Sequence, residues 1–320
     1  MPNVDFSAVA EKNREVWDNW LTQLISPNKT IANGHGYVRV GINEKIYIPK
    51  IDATGNLLQD FTNGAPSGSG TIGLTETELT PEKSLLYLEM TPNDFRSYWR
   101  FSSPDAFESL VFTELPENFR RAMEEVIVRR TNFSIAQCLW AGDSATSPAP
   151  SYPLGRFTGW LTKAVNNADV IDISGASGLT AGNVLEKLQE VYEAIPDAVL
   201  MSPNIKMFVS VKTGKLIQKA SNDIAGKGTT FLTVNGLDDI SFDGVKVVVL
   251  PEFPDDVIFS THSSADESSN LWAGATNAET VEPFRYDRVA PNQEIWFVKG
   301  AFAMDTAIIN GNECVLYDAR

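Results

Sequence analysis

The chain has 320 residues and a formal net charge of −15, because 41 acidic residues outnumber 26 Lys and Arg residues. An excess of negative charge argues against a protein that reads DNA or RNA sequence, since such proteins present clustered Lys and Arg to phosphates. The length allows one elaborate domain or two, and no segment has the roughly 18 consecutive apolar residues needed to cross a bilayer.

The first predicted element is an amphipathic helix over residues 5–25. Its apolar residues recur at three- and four-residue spacing and include Trp17 and Trp20, and Ser26-Pro27 ends the pattern. Two tryptophans on one face of a terminal helix require a surface to pack against, which belongs either to this chain or to a neighbouring one.

Residues 36–95 are predicted to form a long β excursion. Aromatic and β-branched residues at 37–42 and 46–48 predict the outgoing strands, and residues 85–90 predict the return strand. A loop rich in Gly, Ser, Thr and Asn separates them at 62–73. Because isolated hairpins are marginal in water, we interpret the excursion either as an ordinary β-rich subdomain or as an arm that becomes ordered on another subunit.

Residues 116–141 predict the longest helix of the chain. Pro116 suits the first helical position, and Gly142 is expected to end the helix in the left-handed conformation. Apolar residues at three- and four-residue spacing are expected to share one face, and they are Phe119, Ala122, Met123, Val126, Ile127, Phe133, Ala136 and Trp140. At 1.5 Å per residue the helix is roughly 39 Å long. We interpret it either as a core helix of an ordinary domain or as the spine of a plate-like subunit.

The second half of the chain is predicted to alternate helices and strands. Helices are expected from Thr180 to just before Pro196 and from Ser202 through Ile217. The expected strands lie at 161–165, 170–173, 198–201, 245–250, 257–260, 279–286, 294–304 and 307–317. Residues 263–270 are polar and acidic and are expected to form a solvated loop.

Residues with catalytic or metal-binding chemistry are sparse. His35 and His262 are interpreted as solvated loop residues, because neither stands at a metal-ligand spacing with Cys or carboxylates. The stretch Gly226-Lys227-Gly228 lacks the first glycine and the Ser or Thr of a phosphate-binding loop. Cys138 is interpreted as a buried free thiol, and nothing suggests a disulfide framework, which fits a reducing cytoplasm. No catalytic, cofactor or metal site is predicted.

An aromatic and basic run at 95–101 includes Arg96 and Trp99. Such interleaving suits stacking on single-stranded nucleic acid. On an acidic chain we interpret it instead as packing in the core or between subunits.

The order of these elements resembles the major capsid proteins of tailed bacteriophages, which have the Hong Kong 97-like fold. Four short stretches carry the resemblance, and they are Leu139-Trp140-Ala141-Gly142-Asp143, Pro153-Leu154-Gly155, Leu179-Thr180-Ala181-Gly182-Asn183-Val184, and Asp243-Gly244-Val245-Lys246-Val247 followed by Pro251. The resemblance covers nearly the whole chain and lies in the architecture more than in any one motif.

The resemblance implies an α+β fold of four regions. Residues 1–32 would be an N-terminal arm with its amphipathic helix, and 33–95 an extended β loop. Residues 96–177 with 277–320 would form a peripheral domain that contains the spine helix 116–141. Residues 178–276 would form an axial α/β domain.

The function implied is structural and not catalytic. The subunit would assemble as hexamers and pentamers into the icosahedral head of a tailed bacteriophage, in the host cytoplasm, and would become part of the virion. The partners implied are a separate scaffolding protein, because about thirty residues precede the β loop, a portal, decoration proteins, and DNA enclosed without sequence-specific binding; no membrane partner is implied. An encapsulin-like bacterial nanocompartment shell and an α/β enzyme acting on a small substrate stay open as alternatives.

Candidate residues for contact between subunits are aromatic and basic residues in the N-terminal helix, the β loop, the 95–101 run and the spine helix. They are Trp17, Trp20, Tyr37, Tyr47, Arg96, Trp99, Arg129 and Arg130.

Overall fold

The computed structural model describes residues 29–55, 58, 70–90, 117–145, 155–175, 177–224, 231–276, 285–290 and 295–320. The helix expected over 5–25 and the run at 95–101 lie outside these residues. Trp17, Trp20, Arg96 and Trp99 therefore stay sequence predictions.

The described residues contain helices of four to 25 residues and strands of two to 13 residues. The helices are α1 (Lys29–Ala32), α2 (Glu117–Ala141), α3 (Trp160–Val165), α4 (Val184–Ala194), α5 (Asp197–Leu200) and α6 (Val211–Ile224). The strands are β1 (Tyr37–Val40), β2 (Ile46–Thr54), β3 (Thr71–Leu79), β4 (Glu82–Met90), β5 (Ile171–Asp172), β6 (Ile205–Ser210), β7 (Leu232–Val234), β8 (Ile240–Phe242), β9 (Val245–Leu250), β10 (Val257–His262), β11 (Leu271–Ala275), β12 (Arg285–Arg288), β13 (Trp296–Ile308) and β14 (Val315–Asp318).

One sheet has five strands and is organised around the long strand β13. The strands run in the order β1-β11-β13-β12, and β4 also pairs with β13. β1 is parallel to β11, and the other pairs are antiparallel. Buried apolar side chains of α2 and α3 pack against this sheet and form one core with it.

The other large sheet has seven strands in the order β5-β14-β10-β6-β9-β8-β7. β6 is parallel to β9 and β14 is parallel to β5, whereas the remaining pairs are antiparallel. Helices α4 and α6 contribute Leu188, Val191 and Ile217 to a second core on this sheet. Strand β11, from the predicted axial range 178–276, lies in the five-stranded sheet, and β14, from the predicted peripheral range 277–320, lies in the seven-stranded sheet. The division into regions stays a prediction.

The spine helix is confirmed as α2, which runs from Glu117 to Ala141. Ile127, Ala136 and Trp140 are buried as predicted, whereas Phe133 is 39% exposed and the prediction for it is wrong. Phe133 follows Arg129 by four residues and Arg130 by three, so it shares their outward face. The side chains of Phe119, Ala122, Met123 and Val126 lie outside the described part.

The end of the spine helix differs from the prediction at Gly142. Gly142 does not adopt a positive φ, and its N–H continues the helical pattern by donating to the carbonyl of Cys138 at 2.9 Å. A Cβ at Gly142 would overlap the carbonyl oxygen of Phe157. Glycine is therefore required here for close backbone approach and not for a left-handed cap.

Predictions for several segments of the second half are wrong in whole or in part. The segments expected as strands at 161–165 and 198–201 are the helices α3 and α5, and the segment expected as one helix over 202–217 begins with strand β6 before helix α6. Periodicity does not separate short buried helices from short buried strands, because both read as brief apolar runs. The loop at 263–270 is not solvated throughout, since Ser263, Ser264, Ser269 and Asn270 are buried.

The extended β loop is a hairpin of β2 and β3, which form a two-stranded sheet of their own. The return strand is β3, whereas residues 85–90 belong to β4 and pair with β13 in the five-stranded sheet. Residues 71–73, expected in the flexible loop, are strand residues. Within the segment expected at 33–95, the described strands that stand outside the large sheets are thus β2 and β3.

Candidate intersubunit surfaces

The hairpin has one apolar and one polar face. Cross-strand partners lie on the same face, and successive residues of a strand alternate between faces. The partners Ile51 and Leu74 and the partners Ala53 and Ile72 therefore share a face, and the exposed fractions of Ile51, Leu74 and Ile72 are 71%, 71% and 67%. We call this the apolar hairpin face; it also carries Tyr47, Pro49, Glu76 and Glu78.

The opposite face of the hairpin is polar toward its free end. Lys50 Nζ lies 3.1 Å from Asp52 Oδ2, and the Thr75 hydroxyl donates to the same carboxylate at 3.4 Å. Lys50 and Thr75 are direct cross-strand partners. The hairpin is thus amphipathic, with its apolar side open to solvent in the single chain.

Tyr47, a predicted contact residue, lies on the apolar hairpin face and is 52% exposed. Lys45 Nζ lies 5.0 Å from the centre of the Tyr47 ring and 2.6 Å from Glu78 Oε2. Exposed contacts of this kind contribute little to stability. They leave Tyr47 available to a partner, and its contact role stays a prediction.

Tyr37, the other predicted contact residue of the β loop, packs within its own chain. Its ring lies 4.6 Å from the ring of Trp272 in an edge-on arrangement, and its hydroxyl donates to Glu267 Oε1 at 3.1 Å. Burial raises the pKa of Tyr37. The ring contact joins β1 to β11 and the hydrogen bond joins β1 to the loop before β11, and a role between subunits stays a prediction.

A second apolar surface lies on β4, in the five-stranded sheet. Leu85 and Tyr87 are 55% and 51% exposed, and the Tyr87 ring stacks on Phe297 of β13 at 5.9 Å. The Tyr87 hydroxyl donates to Glu89 Oε1 at 2.6 Å, and this hydrogen bond raises the pKa of Tyr87. Sequence reasoning missed this surface because it assigned these residues to the flexible arm.

Arg129 and Arg130 are exposed on the spine helix, as a contact role requires. Together with Phe133 they place two basic groups and one half-exposed ring on the outward face of α2. Their contact with a neighbouring subunit stays a prediction.

His35 is buried, which corrects its interpretation as a solvated residue. Only 5% of it is exposed; its ring lies 5.7 Å from Phe208, and its Nδ1 is 3.3 Å from Lys206 Nζ. Burial, reinforced by the charge of Lys206, lowers the pKa of His35 to about 4. The imidazole is thus a neutral packing group.

The two cysteines are buried thiols outside any disulfide, as predicted for Cys138. Burial raises the pKa of both Cys138 and Cys314 to about 12, and a protonated, enclosed thiol is a poor nucleophile. Among the residues that the structure describes, no group of three or more His, Cys, Asp and Glu is placed to hold a metal ion. In the same residues, no helix has the length and apolar character needed to span a bilayer.

No protein-family model and no curated protein matches the sequence. Solved capsid structures match the fold over nearly the whole chain. A chain of the satellite phage P4 procapsid with its size determination (Sid) protein has a TM-score of 0.58 at 12% identity, covering 94% of this chain and 99% of the matched chain.

The capsid of a native GTA particle gives a TM-score of 0.59 at 12% identity, covering 90% of this chain and 89% of the other. The capsid of cyanophage A-1(L) gives 0.56 at 10% identity, with coverages of 92% and 94%. Identities this low establish the fold and nothing finer. The predicted α+β fold of the Hong Kong 97-like type is confirmed.

Proposed function

We propose that the chain is the major capsid protein of a tailed bacteriophage, a structural subunit that assembles with itself into an icosahedral shell around double-stranded DNA. The similarity in fold to capsid structures, over at least 90% of the chain, supports this proposal. Fold alone does not specify function, so the proposal depends on a surface that requires a partner.

The apolar hairpin face is that surface and the observation that carries the proposal. A two-stranded hairpin has too little core to be stable alone in water, and ordering its backbone costs about 1–2 kcal/mol per residue. Ile51, Ile72 and Leu74 offset that cost only when a second molecule covers them. Exposed contiguous apolar surface of this kind is typical of sites of protein association.

The partners proposed are other copies of this chain in hexamers and pentamers, a separate scaffolding protein, a portal and decoration proteins. DNA is enclosed without sequence-specific binding, in keeping with a chain of net charge −15. Assembly takes place in the host cytoplasm, and the assembled protein belongs to the virion. The role is structural, with no catalytic residue assigned and no membrane partner.

Electron microscopy of the expressed protein, alone and with candidate partner proteins of the same phage, tests the proposal. Closed shells, capsomers or tubes are expected. A strictly monomeric protein under all of these conditions contradicts the proposal. Particles that hold a protein cargo and never DNA would instead assign the chain to the nanocompartment shells.

A further inference from the structure

The hairpin joins the five-stranded sheet at both of its ends. Residues 41–45 link β1 to β2, and Thr80-Pro81 links β3 to β4, so the second link is only two residues long. In the first link the Ile42 N–H donates to the Ala275 carbonyl of β11 at 3.1 Å. At the second link, which we call the corner, one contact is apolar and another is charged.

The apolar contact is a small cluster beneath the base of the hairpin. Leu79 is fully buried against Gly274 of β11, where a Cβ would overlap the Leu79 side chain and lie 2.9 Å from Ile42. The cluster is completed by Ile48, Trp272 and Ala307. Apolar burial is non-directional, so this cluster holds the base in place without setting its angle.

The charged contact joins three elements at one carboxylate. The Thr80 N–H donates to Asp305 Oδ2 at 2.7 Å, and Lys163 Nζ of α3 lies 2.8 Å from Asp305 Oδ1. Lys163 also donates to the carbonyl of Thr306. The Asp305 side chain is only 7% exposed, and a buried carboxylate is costly without a countercharge. Lys163 supplies that countercharge.

On the basis of the shell function proposed above, we propose that Lys163, Asp305 and the Thr80 N–H form a clasp that fixes the direction of the hairpin before subunits meet. Charge-assisted hydrogen bonds have defined geometry, and these link the corner to both β13 and α3. Each hairpin strand has nine residues, which makes a lever about 30 Å long. A rotation of about 10° at the base moves the far end of such a lever by about 5 Å, enough to misplace the apolar hairpin face on a neighbour.

Hydrogen exchange of the isolated subunit tests the clasp without requiring a shell. In Lys163→Met, the amides of 46–54 and 71–80 are expected to exchange about tenfold to a hundredfold faster, the factor that a hydrogen bond to a charged group provides. A folded Lys163→Met protein whose hairpin exchanges like wild type overturns the proposal. Lys163→Arg keeps the charge and should exchange within about threefold of wild type.

The chain offers a matched control between helix α6 and the loops beside the seven-stranded sheet. Lys212 Nζ lies 2.8 Å from Asp256 Oδ2, and Asp256 Oδ1 accepts the Leu179 N–H at 3.1 Å. This Lys, Asp and backbone N–H arrangement repeats the clasp away from the hairpin. Lys212→Met is therefore expected to leave hairpin exchange unchanged, and an equal acceleration there would show a general loss of stability and overturn the proposal.

A double variant covers the case in which Lys163→Met fails to fold. Lys163→Met with Asp305→Leu buries no charge, and replacing a buried ion pair with apolar residues is often tolerated. The Thr80 N–H is then left without its acceptor, so fast hairpin exchange is expected in a folded protein. Wild-type exchange in this variant overturns the proposal.

Electron microscopy of the same variants tests the consequence for assembly. Fast exchange together with shells of irregular diameter or low yield supports the clasp as a positioning device. Fast exchange with uniform shells of wild-type diameter overturns that role. If the wild-type chain forms no shells, the shell function fails, while the exchange measurements still decide whether the clasp exists.

Discussion

Gly142 and Gly159 bring two backbone segments into direct contact where the spine helix ends. The Gly159 N–H donates to the Gly142 carbonyl at 2.9 Å. A Cβ at Gly159 would lie 2.5 Å from the carbonyl oxygen of Cys138, inside the contact distance of real side chains. The absent side chains thus let α3 begin directly against the end of α2.

Gly142→Ala and Gly159→Ala are each expected to lower the free energy of unfolding by about 1–3 kcal/mol or more, because the added methyl group meets backbone atoms that have no room to move. Chemical denaturation measures the loss. Gly182→Ala is the control, since Gly182 is exposed and a methyl group added there would lie 3.9 Å from its nearest neighbour, Thr180 Oγ1. The control should stay within about 0.5 kcal/mol of wild type.

His35 gives the stability of the subunit a pH dependence of known sign. Burial lowers its pKa from 6.5 to about 4 in the folded chain. Between pH 6.5 and about pH 4 the unfolded chain binds a proton at His35 that the folded chain does not. The stabilisation of the folded chain that depends on a neutral His35 is therefore complete above pH 6.5 and is lost as the pH falls toward 4.

His35→Gln is expected to remove this part of the dependence. The difference in unfolding free energy between wild type and variant should change with pH in this window, by at most about 1.4 kcal/mol per pH unit. Urea denaturation of both proteins from about pH 7 to about pH 4 measures it. Two stability curves that run parallel across the window would contradict the assignment.

At the scale of elements, the hairpin carries apolar residues that are expected to matter for association between subunits and not for folding of the single chain. Ile51 and Leu74 are 71% exposed in the single chain, so they contribute little to its stability. Ile51→Ser with Leu74→Ser is expected to leave the free energy of unfolding within about 0.5 kcal/mol of wild type. Shell yield should fall sharply, because apolar side chains that become buried at an interface dominate its energy.

Lys50→Ser with Thr75→Ser is the matched control for this prediction. These two residues are cross-strand partners next to Ile51 and Leu74 but on the opposite face. The control should assemble like wild type, with yields compared by sedimentation and electron microscopy. Equal loss of shells in both double variants would mean that the hairpin acts through its own stability and not through its apolar face.

Sequence reasoning predicted the elements whose pattern is long and local. The spine helix begins one residue after its predicted start. Its helical periodicity extends over 25 residues, which distinguishes a helix from a strand more clearly than a short apolar run does. Strand β3 was missed because Glu76 and Glu78 follow Ile72 and Leu74 on the same face, which breaks the apolar alternation. The solvent exposure of that face depends on the tertiary structure, and the spacing of residues in the sequence does not predict it.

At the scale of the whole molecule, the spine helix ends in an aromatic cluster that joins the two sheets. The Trp140 ring lies 5.0 Å from Trp160 beside the five-stranded sheet and 4.9 Å from Phe208 of the seven-stranded sheet. The Trp140 indole N–H donates to the Thr30 hydroxyl at 2.8 Å, which in turn donates to Glu252 at 2.9 Å. These contacts tie the spine helix, both sheets and the first described residues of the chain to one another.

The net charge of −15 affects how subunits associate with one another and whether they bind DNA. Proteins gain affinity for DNA by releasing counterions through Lys and Arg, and here the excess charge has the wrong sign. Exposed like charges on neighbouring subunits repel, and salt screens them beyond about 8 Å at 0.15 M. Shell yield is therefore expected to rise from low to moderate ionic strength while duplex DNA stays unbound.

A sodium chloride series from about 10 to 300 mM, scored for shell yield by sedimentation and for DNA binding by anisotropy, measures both effects, since screening lengths fall about fivefold over this range. Sucrose at matched osmolality is the control, because it excludes volume without screening charge. A rise in yield with salt and not with sucrose assigns the effect to repulsion between acidic subunits. Tight DNA binding that weakens steeply with salt would contradict this account, because it requires a basic surface that neutralises several phosphates at once.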